Sequence, residues 1–202
     1  MPLPELHRIE TLVRARPAAS VGNESSPRAA VAMVLAPEGE DLHLLLIKRA
    51  EHPLDPWSGH MAFPGGRHDA GDVDLVHTAV RETHEEVGVD LARHGLLIGA
   101  LDEVQASARG RALELVITPY LFRVDERIET SIDETEVAVA LWVPLRTFQG
   151  DRHHGTTRIS RGDFRADMPA FQFDGLTVWG LTYRMIRNFV EALEEGAAPE
   201  LR

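Results

Sequence analysis

Between Gly65 and Asp90 the chain reads GGRHDAGDVDLVHTAVRETHEEVGVD, and this stretch limits the possible folds more than any other. Asp74 to Val87 has helical periodicity, and Gly88 follows where a helix C-cap favours glycine. At about 100° per residue, Glu85 lies roughly 60° from Glu82 on one side and Glu86 roughly 40° on the other. Three carboxylates therefore share one narrow arc, while Val76, Val80 and Val87 fall on a different arc suited to a core. Like charges so placed destabilise an isolated helix. A hard divalent cation removes the repulsion, and Mg²⁺ or Mn²⁺ favours oxygen ligands. Taken alone, ETHEE also reads as a solvated acidic face. Its surroundings favour a site: Gly65 and Gly66 let backbone approach a ligand closely, and Arg81 beside the arc can brace a carboxylate through a forked pair.

A helix of this kind needs a layer to pack on, and the flanking sequence supplies strands. Ala29–Leu35 is a continuous apolar run that predicts a buried strand, and Leu42–Lys48 a second one, joined by a turn over residues 37–41. Leu96–Val104, Leu113–Val124, Val137–Val143 and Phe171–Val178 are further expected strands. Residues 4–16 and Leu181–Leu193 carry helical spacing at the two ends. Strands dominate the middle with one helix among them, which predicts an α+β class, an α/β/α layered domain with a mixed sheet.

The 202 residues suffice for one domain with a sizeable core. There is no run of 18 apolar residues, so no transmembrane helix is expected. The first residues lack the apolar centre of a signal peptide. Cysteine is absent, which excludes disulfides and thiolate metal sites. A cytoplasmic location is the expectation. A net charge of −11 argues against coating long nucleic acid, though a local cationic patch or a metal can still hold a small anion.

The segment from Gly65 to Asp90 resembles the Nudix box, G-x5-E-x7-R-E-U-x-E-E-x-G-U with U apolar. Arg81-Glu82-Thr83-His84-Glu85-Glu86-Val87-Gly88-Val89 matches at every charged position and at the glycine, with Thr83 where an apolar residue is usual. One extra residue in the first half aligns Gly66 and puts Asp72 in the early acidic role. Upstream, LLLIKRAEHPLDPWSGHMAFPGGR is similar to the motif of the coenzyme A pyrophosphatase branch, carried by Leu45, Leu46, Arg49, Gly59, Phe63, Pro64, Gly65 and Gly66. Ala50 stands in place of its serine, and DPWSGH replaces its usual spacer. Val178-Trp179-Gly180-Leu181-Thr182 is similar to the segment opening that branch's last helix.

The resemblance implies a Nudix-type α/β/α sandwich over residues 29–195, preceded by an N-terminal helix and loop at 1–28 and followed by a tail at 196–202. It implies diphosphate hydrolysis with Mg²⁺ or Mn²⁺, held by Glu82, Glu85, Glu86 and the Gly65 carbonyl. Coenzyme A or an acyl derivative is the first substrate expected. ADP-ribose, a dinucleotide or a nucleoside triphosphate is the alternative, and a non-catalytic nucleotide sensor is the rival of another class. Arg81, Glu82 and Glu136 are expected in catalysis, with Glu82, Glu134 or Glu136 as candidate base. Substrate contacts are expected from Arg49, from Trp57 by stacking on a base, and from the basic segment of Arg152, His153, His154, Arg158 and Arg161. Each has an ordinary alternative: an ion pair for Arg49, packing on prolines for Trp57, an exposed hairpin for the basic segment. The expected partner is a small nucleotide-type molecule, with no membrane and no long nucleic acid; the reading also allows a homodimer.

Overall fold

The computed structural model describes residues 4–196 apart from 24, 54, 56, 109–110 and 162–163, with backbone alone at 107–108, 111–112, 161 and 164. Its elements, in chain order, begin with helix α1 (Pro4–Ala15), strands β1 (Arg28–Glu38), β2 (Asp41–Arg49), β3 (Met61–Ala62) and β4 (Gly65–Arg67). Helices α2 (Leu75–Val87) and α3 (Leu91–His94) follow, then β5 (Leu96–Ala100), β6 (Val104–Ala108), β7 (Arg111–Arg123) and β8 (Val137–Pro144). A 3₁₀ turn at Leu145–Phe148 leads to β9 (His154–Arg161), β10 (Phe164–Phe173), β11 (Leu176–Trp179) and helix α4 (Gly180–Glu195).

β1 is the axis of the larger sheet. It pairs in parallel with β7 on one edge and antiparallel with both β2 and β4 on the other. Its continuous apolar sequence follows from burial on both faces. Ala30, Ala32, Val34 and Ala36 point to one side, where Ala79 and Val87 of α2 and Leu91 of α3 cover them. Alternate residues Ala29, Val31, Met33 and Leu35 point to the other side. There they meet Leu6 and Ile9 of α1, Ile186 and Phe189 of α4, and Phe171 and Val178 of the smaller β9–β10–β11 sheet. The result is the expected α+β architecture: helices on both faces of a mixed sheet.

Two expected strands divide. Leu96–Val104 becomes β5 and β6, because after Leu101, still bonded to the Pro119 carbonyl of β7, Asp102 and Glu103 turn to the segment after α1. Asp102 accepts from Arg16 and from the Ala19 backbone, and Glu103 accepts from the Val21 backbone. Those carboxylates tie down the segment after α1. Phe171–Val178 becomes a hairpin, since Asp174 and Gly175 both take positive φ, 46° and 76°. β9 was not expected as a strand. Its sequence HGTTRISR alternates between half-buried and exposed positions without an apolar face to announce it.

Among the described residues no helix is long and apolar enough to cross a membrane. The N-terminal helix is instead part of the core: Ile9 is wholly buried, and Arg8 Nη1 donates to the Leu193 carbonyl at 2.9 Å. We propose 29–195 as the domain with α1 packed into it. Replacing Ile9 by Ala should then destabilise the whole protein by about 2–5 kcal/mol, the range for such deletions. Denaturant melts followed by tryptophan fluorescence check this. An unchanged midpoint would mean that α1 rests on the core without contributing to it.

Candidate active site

Helix α2 begins and ends by local rules. Asp74 caps it by accepting from the His77 backbone at 2.7 Å. Gly88 closes it in the left-handed region at φ 71°, donating to the His84 carbonyl at 2.9 Å. Thr83, the polar residue at a usually apolar position, is fully buried and donates its hydroxyl to the Ala79 carbonyl at 2.6 Å. A buried hydroxyl so bonded is tolerated on the core face.

The opposite wall is β4, which requires glycine at 65 and keeps space for a carboxylate with the glycine at 66. Gly65 has φ 149°, and a Cβ there would stand 2.3 Å from the Ala30 carbonyl oxygen. A Cβ on Gly66 would stand 2.4 Å from the Glu82 carboxylate. The missing side chains leave room for Glu82 and bring the Gly65 amide to Glu86 Oε2 at 2.9 Å.

Arg81 organises the charges on α2. Its Nε and Nη2 donate to the two oxygens of Asp72 at 2.8 and 2.9 Å, and Nη1 reaches Glu85 at 2.8 Å and Glu82 at 3.0 Å. The Asp72 carboxylate is almost wholly buried and also accepts from Thr78, from the Asp69 backbone and pairs with His77. The Arg81 guanidinium holds it well below the usual carboxylate range. Asp72 thus anchors Arg81 and is not among the residues lining the cleft. The extra residue noted before the helix is absorbed in a turn, with Asp72 N bonded to the Asp69 carbonyl and Gly71 N to the Asp69 side chain.

The remaining carboxylates are held against their preference. Burial pushes Glu86 up to about 8, against the pull of the Gly65 amide and Arg49, with Glu82 and Glu136 adding repulsion. Glu82 is raised too, chiefly by burial, while Arg81 opposes. Among the described residues no three acidic or imidazole groups converge on one point as they stand, because Glu85 leans on Arg81 and Glu86 on the Gly65 amide. The donor set nonetheless suits a hard divalent ion: oxygen ligands on one helix face, one of them deeply buried, beside a glycine whose Cβ would fill the gap.

These groups open into a cleft of about 600 Å³. Glu82, Glu85, Glu86, Gly65, Gly66, Arg49, Trp57 and Glu136 all line it. Glu134 does not, and neither do Arg152 and Arg158. Arg158 is exposed on the β9–β10 hairpin and forks onto Asp167 at 2.9 and 3.1 Å. The expected basic grip is therefore not at this cleft, since the hairpin carries its own counter-charge; the Arg161 side chain lies outside the described residues. His153 and His154 also part company: His153 meets the Gln172 carbonyl at 3.2 Å, and His154 pairs with the Tyr183 hydroxyl.

Sequence reasoning missed the far wall. Trp179, just before α4, lines the cleft with its ring 4.4 Å from that of His60. Leu115, Ile117, Leu181 and Met185 complete an apolar side. Nothing in their local sequence marks them, because they come from separate elements that read as core strand and helix. Trp142 packs beside the α2 core and donates to the Ile128 carbonyl at 3.1 Å.

The NUDIX domain family model matches residues 26–161. The chain belongs to the Nudix hydrolase family. Members of this family generally use divalent metal ions. The protein is 42% identical over 105 residues to protein C14C4.10c of Schizosaccharomyces pombe, covering 51% of this chain and 32% of that one. It is 32% identical over 159 residues to the human mitochondrial coenzyme A diphosphatase NUDT8, covering 76% of this chain and 64% of that one. The matches thus span less than two thirds of either relative. A MutT/nudix family protein from Enterococcus faecalis shares the fold, with a TM-score of 0.54 and 19% identity over 94% of this chain and 68% of that one.

The Asp72–Arg81 pair yields a stability test. Asp72→Asn should cost about 1.5–3 kcal/mol near neutral pH, the range for hydrogen bonds to charged groups. A depressed carboxyl contributes stability that is present above the unfolded aspartate value and is lost as pH falls below it. The gap between wild type and variant should therefore narrow below about pH 4. Urea melts from pH 3 to pH 7 check this, and a gap independent of pH would assign the loss to packing instead of charge.

Proposed function

We propose that this Nudix protein hydrolyses the diphosphate bond of a nucleoside diphosphate derivative, with coenzyme A or acyl-coenzyme A as substrate. The observation that carries the reading is the sharing of one cleft by the carboxylates of α2, the Gly65-Gly66 wall, Arg49 and Trp57. The motif upstream of Gly65 and the likeness to a coenzyme A diphosphatase support the substrate.

Glu82, Glu85, Glu86 and the Gly65 carbonyl are the residues to hold Mg²⁺ or Mn²⁺. When bound, such an ion neutralises diphosphate oxygens and lowers the pKa of water. Arg81 fixes Glu82 and Glu85 by its shared Nη1. Arg49 grips a phosphate, and Trp57 stacks on the base. Glu136 enters the cleft from the segment before β8 and accepts the proton of the attacking water. Water's oxygen bonds to phosphorus as the bridging P–O bond breaks, releasing 3′-phosphorylated AMP and phosphopantetheine.

The test is a panel of coenzyme A, dephosphorylated coenzyme A, ADP-ribose, a dinucleotide and nucleoside triphosphates with Mg²⁺ or Mn²⁺, read by product identification. Coenzyme A should give the highest kcat/KM. Preference for ADP-ribose or a dinucleotide would reassign the substrate, and binding without turnover would make the protein a sensor. Glu85→Gln and Glu86→Gln should each lower kcat by at least about a hundredfold, with circular dichroism unchanged, because several kcal/mol of charge stabilisation depend on them. Near wild-type activity at limiting metal in either variant would remove that residue from the site.

A further inference from the structure

In the spacer between β2 and β3, where DPWSGH departs from the branch this chain resembles, Asp55 has no assigned task. Asp55 is largely buried and uses both oxygens. Oδ2 accepts from Arg49 Nε at 2.9 Å, and Oδ1 accepts from the Trp57 backbone N–H at 2.9 Å. One carboxylate thus joins the two groups that the proposed function gives to substrate phosphate and base. Burial alone would raise the Asp55 carboxyl, yet the Trp57 N–H and the Arg49 guanidinium hold it below the ordinary aspartate range.

The other side of Arg49 faces the acidic wall. Its Nη1 lies 3.7 Å from Glu86 Oε1, too far for a hydrogen bond but within ion-pair range. Glu82 and Glu136 line the same cleft. A guanidinium on a flexible stem collapses onto such carboxylates unless another acceptor holds it, and a collapsed guanidinium is spent on them instead of on phosphate. Asp55 occupies the Nε edge, which leaves the Nη groups on the cleft side.

We propose that Asp55 is a positioning residue for substrate binding, which holds Arg49 off the acidic wall and fixes Trp57 through the same carboxylate. The inference rests on the proposed roles of Arg49 and Trp57. Asp55 also lines the cleft, and the role proposed for it acts through Arg49 and Trp57. Its effect is preorganisation: two binding groups are ordered before the ligand arrives, so the ligand does not bear that cost.

Asp55→Asn is the informative variant. An amide has one acceptor oxygen and one donor nitrogen, so it keeps one of the two bonds and sets a donor against the other. KM for coenzyme A should rise about tenfold or more, while kcat stays within about threefold. In an Arg49→Ala background the same change should cost clearly less than in the wild type, because only the Trp57 contact is left to lose. Arg49→Lys severs the contact from the other side while keeping the charge, and should reproduce the KM loss. Calorimetric affinity for ADP on the same proteins, with the Arg49 Nε–H signal followed by NMR, reads the effect without turnover. A wild type that binds ADP but leaves coenzyme A intact would sink the coenzyme A reading, and the ADP cycle would still decide Asp55. The proposal is overturned by an equal penalty in both backgrounds, by loss of kcat at constant KM, or by a wild-type KM in Arg49→Lys. A wild type that binds neither ADP nor coenzyme A would overturn both readings.

Discussion

The close approach of α2 to the backbone beneath it is the constraint on which the rest of the structure depends. Small residues make it possible. Ala30, Ala32 and Ala36 of β1 floor the helix at its core side, and Gly65 and Gly66 of β4 line it at its acidic side. With that spacing set, Glu86 is buried within reach of a backbone amide and Glu82 fits where a side chain on residue 66 would stand. Apolar burial on one face of the helix thus stabilises a cluster of charges on the other that the helix alone would not tolerate.

Arg81 makes the arrangement workable before any cation arrives. Its guanidinium divides itself between a buried aspartate behind and two glutamates in front. The rear contact is saturated and shielded, so the arginine stays in place whatever the front carboxylates do. Arg49 is its counterpart across the cleft, with Asp55 behind and Glu86 in front. In both cases a second acid on the far side directs a cation within an acidic site.

Much of this was legible in the sequence where the signal is local. The helix arc, its glycine cap, the paired glycines and the two-faced strand of residues 29–35 are each specified by neighbours in the chain. The separation of Leu96–Val104 into two strands was not, because the cause lies in Arg16 and the backbone near Val21, some eighty residues earlier. The basic segment at 152–161 looked like a ligand grip because sequence shows cations without their partners; Asp167 sits on the facing strand. Trp179 could not be assigned to the cleft from sequence, because His60, whose ring it meets, is remote in the chain. Pairings made by tertiary contact leave no periodicity to read.

The parallel pairing of β1 with β7 has a consequence for how the protein is made. Arg28 pairs with Val116 and Leu35 with Arg123. The hairpin with β2 can close as soon as it leaves the ribosome, but the other edge of β1 waits for a partner almost ninety residues later. At about 5–20 residues per second this is roughly 4–18 seconds of synthesis. Through that interval a strand edge whose residues 29–35 are apolar on both faces has no native cover, which is the exposure that invites pairing with another nascent chain. Demand for a holdase chaperone should therefore be set by the order in which the strands emerge, and moving the β7 segment earlier by circular permutation would relieve it without altering one contact of the finished fold.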